Sequence, residues 1–139
     1  MPTVTLPAAT IEYRDSGPND SAFPPVVFVH GALVDSRLWD AVAARLVGQG
    51  CRCLQPNLPL RAHTIPVNDR GALTPPGVAG IVHDFLVALD LDDVTLVGND
   101  TGGGLCQFLI DTHPERIGRL VLTNCDAFDK FPPFPFNAV

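Results

Sequence analysis

Basic side chains are scarce in this chain. Nine Lys and Arg stand against fifteen Asp and Glu, a formal net charge of −6 at pH 7, which argues against a nucleic-acid or anionic-membrane partner. Long apolar runs are missing too: none approaches the ~20 residues of a membrane span. No basic stretch followed by an apolar one opens the sequence as a signal peptide does, so the expected location is cytoplasmic. The four cysteines, Cys51, Cys53, Cys106 and Cys125, do not form two spaced pairs, so a zinc knuckle or disulfide framework is not indicated. Ordinary buried thiols are expected, with no metal and no cofactor.

What is present suits one globular domain. The 139 residues are 46% hydrophobic and 17% charged, enough to bury roughly two-thirds of the unfolded surface.

The chain is organised around residues 94–104, Val-Thr-Leu-Val-Gly-Asn-Asp-Thr-Gly-Gly-Gly. Val94 to Val97 read as a short buried strand. From Thr101 the period changes to a helix, with Leu105, Phe108 and Leu109 on one face. Asp100 therefore sits on a sharp strand-to-helix turn between Gly98 and Gly102, in the pattern Gly-x-nucleophile-x-Gly. A dinucleotide turn would need G-x-G-x-x-G, and the middle glycine is absent. A P-loop would need Lys-Ser/Thr after the last glycine, where Leu105 stands. The plain alternative is that Asp100 only caps the helix.

Elsewhere, residues 4–6 and 11–14 read as a hairpin of two short strands, and 15–25 as a loop. Residues 26–29, Val-Val-Phe-Val, form a continuous apolar run that suits a central strand, ended by His30-Gly31. Ser36 is placed to cap a helix whose inward stripe is Trp39, Val42, Ala43, Leu46 and Val47. A strand follows at 51–55, then a long surface loop over 57–73. Thr74-Pro75 supplies a cap and a first-turn proline. The next helix has its stripe at Val78, Ile81, Val82, Phe85, Leu86 and Leu89. Residues 117–123 read as the last strand. This alternation predicts a three-layer α/β sandwich with a mostly parallel sheet and right-handed crossovers, residues 26–29 and 94–97 lying side by side. Ligands in such sheets bind beyond the carboxyl ends of the strands, where His30-Gly31 and Asp100 both lie.

The sequence resembles an α/β-hydrolase. The resemblance rests on Val27-Phe28-Val29-His30-Gly31, on Trp39, on residues 90–103, on His113-Pro114-Glu115-Arg116-Ile117 and on Leu120-Val121-Leu122. An Asp on the turn is similar to haloalkane dehalogenases and epoxide hydrolases, in which the carboxylate forms an ester with the substrate and a histidine activates the water that hydrolyses it. The resemblance implies Asp100 as nucleophile and the backbone N–H groups of Ala32 and Thr101 as oxyanion hole. It implies a small-molecule substrate of haloalkane, epoxide or ester type. Three positions depart from those subfamilies: Thr101 stands where Trp is common, Ala32 where dehalogenases carry Asn, and Leu33 where epoxide hydrolases carry Pro.

The family's order is nucleophile, acid, histidine, yet the only histidine after Asp100 is His113, at the far end of the helix. His30 is structural in the family. His63 lies in a loop, and His83 lies on a helix with no second ligand at i+4. Asp126 is the candidate acid, by resemblance to one dehalogenase group, or else a generic loop aspartate. The chain is therefore expected to be the N-terminal part of one hydrolase domain, truncated before the cap and last strands and catalytically incomplete. Phe128, Phe131, Phe134 and Phe136, set among prolines, would be a cap entry. Self-association through an exposed sheet edge is expected. The alternative is a non-catalytic fragment or assembly module of the same fold.

Overall fold

The computed structural model describes residues 1–127; the expectations placed on Phe128, Phe131, Phe134 and Phe136 lie outside them. A hairpin of β1 (Thr3–Thr5) and β2 (Thr10–Ser16) opens the chain, turned by Leu6 N–H donating to Ala9 O at 2.9 Å. Then come β3 (Val26–Val29), α1 (Asp40–Gly48), β4 (Cys53–Pro56), α2 (Pro75–Ala88), β5 (Val94–Asp100), α3 (Thr101–Thr112) and β6 (Ile117–Cys125). The six strands form one sheet in the order β1-β2-β4-β3-β5-β6. From β4 to β6 the neighbours are parallel, and β1 and β2 close the other side antiparallel.

The period of two in the central strands divides the core into two layers. On β3, Val26 and Phe28 face α1 with Trp39, Ala43, Cys53 and Val97. Val27 and Val29 face the opposite way, into a larger layer with Val78, Ile81, Val82, Phe85 and Leu86 of α2 and Leu105 and Leu109 of α3. Both faces of β3 are therefore dry, which explains its unbroken apolar run. Trp39 stacks on Phe28, with 4.9 Å between ring centroids.

The start of α1 differs from the sequence expectation. The entry is a 3-10 turn, Ser36–Trp39, capped by Asp35, whose carboxylate accepts from Arg37 N–H at 2.9 Å. Three residues per turn shift the phase of the face that follows. Val42 consequently points outward and is 45% exposed, while Ala43 takes the inward place. The loop over 57–73 also departs from a plain surface path, since Leu58 is fully buried and a 3-10 turn forms at Arg70–Ala72. Thr74 caps α2 as expected, its Oγ1 accepting from Gly77 N–H at 3.1 Å. All four cysteines are free, Cys53 and Cys106 buried and the other two partly so. Among the described residues no helix is long and apolar enough to cross a membrane.

Candidate active site at the β5–α3 turn

The register decides what meets at the rim. Val26 pairs with Thr95 and Val29 with Gly98, so the residues just beyond β3 and the end of β5 come out together. Asp100 occupies the N-cap position of α3 with φ 56° and ψ −131°. An Asp there ordinarily accepts a bond from the first turn of the helix. Here its side chain makes no capping bond, so the capping role that competed in the sequence is not the one it plays. The residue is exposed and its positive φ is a strained conformation for a side chain with a Cβ, of a kind that costs ~1–3 kcal/mol.

Close packing beneath the turn holds that conformation. A Cβ on Gly102 would run into Val29 O and lie 2.6 Å from His30 O, so only glycine lets α3 start this near β3. On the other side, a Cβ on Gly31 would lie 2.5 Å from Asp100 Oδ2. The β3 exit and the Asp100 carboxylate are thus in direct contact across the sheet.

His30 fixes that exit from inside. Its Nε2 accepts from Leu58 N–H at 2.9 Å, and its Nδ1 lies 2.8 Å from Gly31 O, which sets Nδ1 as the protonated nitrogen. Burial lowers its pKa, opposed by the Gly31 carbonyl and by Asp35, so the ring stays neutral and both nitrogens are occupied. The next residues swing over the rim: Leu33 has φ 67° and donates its N–H to Leu60 O at 2.9 Å. Ala32 N–H donates to no described residue, and Thr101 opens α3, so its N–H has no acceptor within the helix. Leu33, Val34 and Leu38 are exposed beside this loop and line an open concavity with Asp35, Arg37 and Ala62.

The end of β6 supplies a second carboxylate. Asp126 N–H donates to Asp100 O at 3.4 Å, and Asp126 Oδ2 is buried with no hydrogen-bond partner among the described residues. Its pKa is raised, first by burial and then by the negative charge of Asp100. Two residues that the sequence reading passed over tie this end down. Gln107 Nε2 donates to Asp126 O at 2.8 Å and to Gly103 O at 3.2 Å. Asn99 Nδ2 donates to Thr123 O at 2.9 Å, and Thr123 Oγ1 donates to Gly98 O. A Gln at i+4 from a helical glycine carried no signal by itself, because the acceptor that gives it a tying role, Asp126 O, arrives from beyond the end of β6.

No histidine joins Asp100. His63 lines a crevice with Ile11, Glu12 and Asn57. His113 ends α3, whose twelve residues span ~18 Å, and it stacks there on His83.

Fold and turn together define a class of protein. Residues 24–138 match the family model described as alpha/beta hydrolase fold, and the chain belongs to that family. It is 33% identical over 109 residues to the non-heme chloroperoxidase CPO-A1 of Kitasatospora aureofaciens, covering 78% of this chain and 38% of that protein. It is 30% identical over 114 residues to a haloalkane dehalogenase of Mycolicibacterium paratuberculosis, covering 82% and 37%. Among solved structures it superposes on an epoxide hydrolase of Vigna radiata with a TM-score of 0.79 at 23% identity, covering 99% of this chain and 44% of that one. The chain spans well under half the length of these relatives.

Proposed function

We propose that this chain carries the nucleophile of a hydrolase that works through a covalent ester, with Asp100 as nucleophile and a haloalkane, epoxide or ester as substrate. The observation that carries the reading is the Asp100 carboxylate itself, raised on a strained turn and excused from capping the helix it precedes. A carboxylate is ionised at neutral pH and attacks without help from a base. With a haloalkane or epoxide, one oxygen bonds to the substrate carbon as the bond from that carbon to halide or epoxide oxygen breaks, and the leaving group takes the electron pair. With an ester substrate the same oxygen attacks the carbonyl carbon, the alkoxide leaves with the electron pair, and the covalent product is an acyl anhydride. The Ala32 and Thr101 N–H groups are the oxyanion donors in this reading, supported by the lack of an acceptor for Ala32 N–H among the described residues and of an intrahelical acceptor for Thr101 N–H.

Hydrolysis of the ester is the step this chain lacks. General-base assistance is worth ~10²–10⁴-fold, and none of the four histidines is bonded to Asp100 among the described residues. Asp126 is the acid that would orient a histidine supplied from elsewhere, a role that its free, buried Oδ2 supports. The test is intact-mass analysis after incubation with a bromoalkane, an epoxide and an activated ester. One stable adduct from the bromoalkane or the epoxide on the peptide containing Asp100, absent from Asp100→Asn, is expected, whereas the activated ester gives a short-lived anhydride. No adduct from any of the three, or equal labelling of the variant, overturns the assignment.

A second reading, an assembly module of the same fold, draws on β6. Its outer edge pairs with no described strand, and Val121 and Leu122 are 44% and 41% exposed there. An open apolar edge is a template for pairing, and we propose that the chain self-associates through it.

A further inference from the structure

At the end of α3 remote from Asp100, three potential ligands come together from separate elements. His83 projects from α2, His113 follows α3, and Glu115 stands in the 3-10 turn Pro114–Arg116 that leads to β6. One donor atom from each lies within 4.8 Å of the other two. We propose that His83, His113 and Glu115 bind a divalent transition-metal ion of the zinc class, which clamps α2 to the α3–β6 connection.

The spacing suits a shared ion. Zinc bonds of ~2.0–2.2 Å in a tetrahedron set neighbouring ligand atoms ~3.4 Å apart. His113 Nδ1 and Glu115 Oε1 are 3.5 Å apart, longer than a charge-assisted hydrogen bond and at the ligand–ligand distance. His83 Nδ1 is buried with no hydrogen-bond partner among the described residues, and a buried polar atom of this kind calls for a ligand. The rings of His83 and His113 are stacked with centroids 4.0 Å apart and 12° between planes. A metal lies in the plane of each imidazole it binds, so one ring must turn about χ2. His113 is the ring free to do so, because its side chain is 47% exposed.

The donor set selects the ion. Two imidazoles and one carboxylate match the three-protein-ligand zinc arrangement with water in the fourth position. Calcium and magnesium, which favour all-oxygen surroundings, are disfavoured. Isolated positions 83 and 113 offer neither the i+4 helix pair nor a short spacing, so only the packing of α2 against α3 creates the site.

The test is Zn²⁺ titration of the chelator-treated full chain by calorimetry and by competition with a chromophoric chelator. One equivalent bound, with a rise in the unfolding temperature as Zn²⁺ is added, is expected. His83→Ala and His113→Gln should each weaken binding at least tenfold, and His63→Ala should leave it unchanged. His113→Gln alters a half-exposed side chain and keeps the fold, which circular dichroism checks. With Co²⁺, the visible band should appear without the thiolate-to-cobalt charge-transfer band that a cysteine ligand would add. Absence of stoichiometric binding, unchanged affinity in His113→Gln, or a thiolate band overturns the proposal.

Discussion

Gly31 and Asp100 lie in contact: a Cβ added to the glycine would sit 2.9 Å from the Cβ of the aspartate. The contact joins the exit of β3 to the exit of β5, and the parallel register that pairs Val29 with Gly98 makes it unavoidable. Gly31→Ala must displace either the carboxylate or the loop after His30. Overpacking of this kind costs ~1–3 kcal/mol. We expect lower stability in urea together with loss of the Asp100 adduct.

Strain at Asp100 makes stability and chemistry separable. Asp100→Gly removes the Cβ from a position with φ 56° and should stabilise the chain by ~1 kcal/mol, since native backbone strain of this kind is relieved by glycine. The same change should abolish covalent labelling. Urea denaturation and intact mass on one preparation measure both, and a loss of stability would contradict the strain argument.

Asp126 sets a pH dependence. Burial and the Asp100 charge raise its pKa in the folded chain, so between the ordinary value and the raised one the native state holds more protons than the unfolded state. Stability therefore falls as pH rises through that window, and is unaffected by this group below the ordinary carboxylate pKa of about 4. Asp126→Asn should be more stable than the parent chain at pH 7 and equal to it in acid. Thermal unfolding across that range gives the answer.

The cap of α2 is a local device. Thr74 Oγ1 accepts from Gly77 N–H, and Thr74→Ala should cost ~1 kcal/mol with no effect on labelling at Asp100.

The proposed self-association depends on β6. Val121→Lys places a charge on an exposed strand residue, and charged edge residues block strand pairing. Light scattering behind a sizing column should show a smaller species than the parent chain gives. An unchanged mass would remove β6 from the interface.

Periodicity along the chain determined most of the scaffold. The four apolar residues of β3, the helical stripe from Val78 to Leu86 and the glycines around Asp100 each state a local preference. Hydrophobic period and turn chemistry are properties of neighbours in sequence, and the parallel order of β3 and β5 followed from their alternation with helices. The phase of α1 was not legible in the same way. Its 3-10 entry is set by how Asp35 caps the turn and how Trp39 docks on Phe28, and that rotation turned Val42 outward.

Tertiary structure alone decided which side chains share a space. Asp100 could cap or could stand free, and its surroundings came from elsewhere in the chain: Gly102 lies against Val29 O and His30 O at the β3 exit, and Gly31 lies against the Asp100 side chain. Gln107 and Asn99 found their partners only when β6 arrived beside β5. His83 and His113 read separately as helix residues, and became a stacked pair when α2 packed on α3. The physical reason is common to all of them. Sequence patterns record the local preferences of the backbone and which face each residue turns to the core, whereas the contacts of a site depend on the relative positions of several elements, which the packing of the whole core sets.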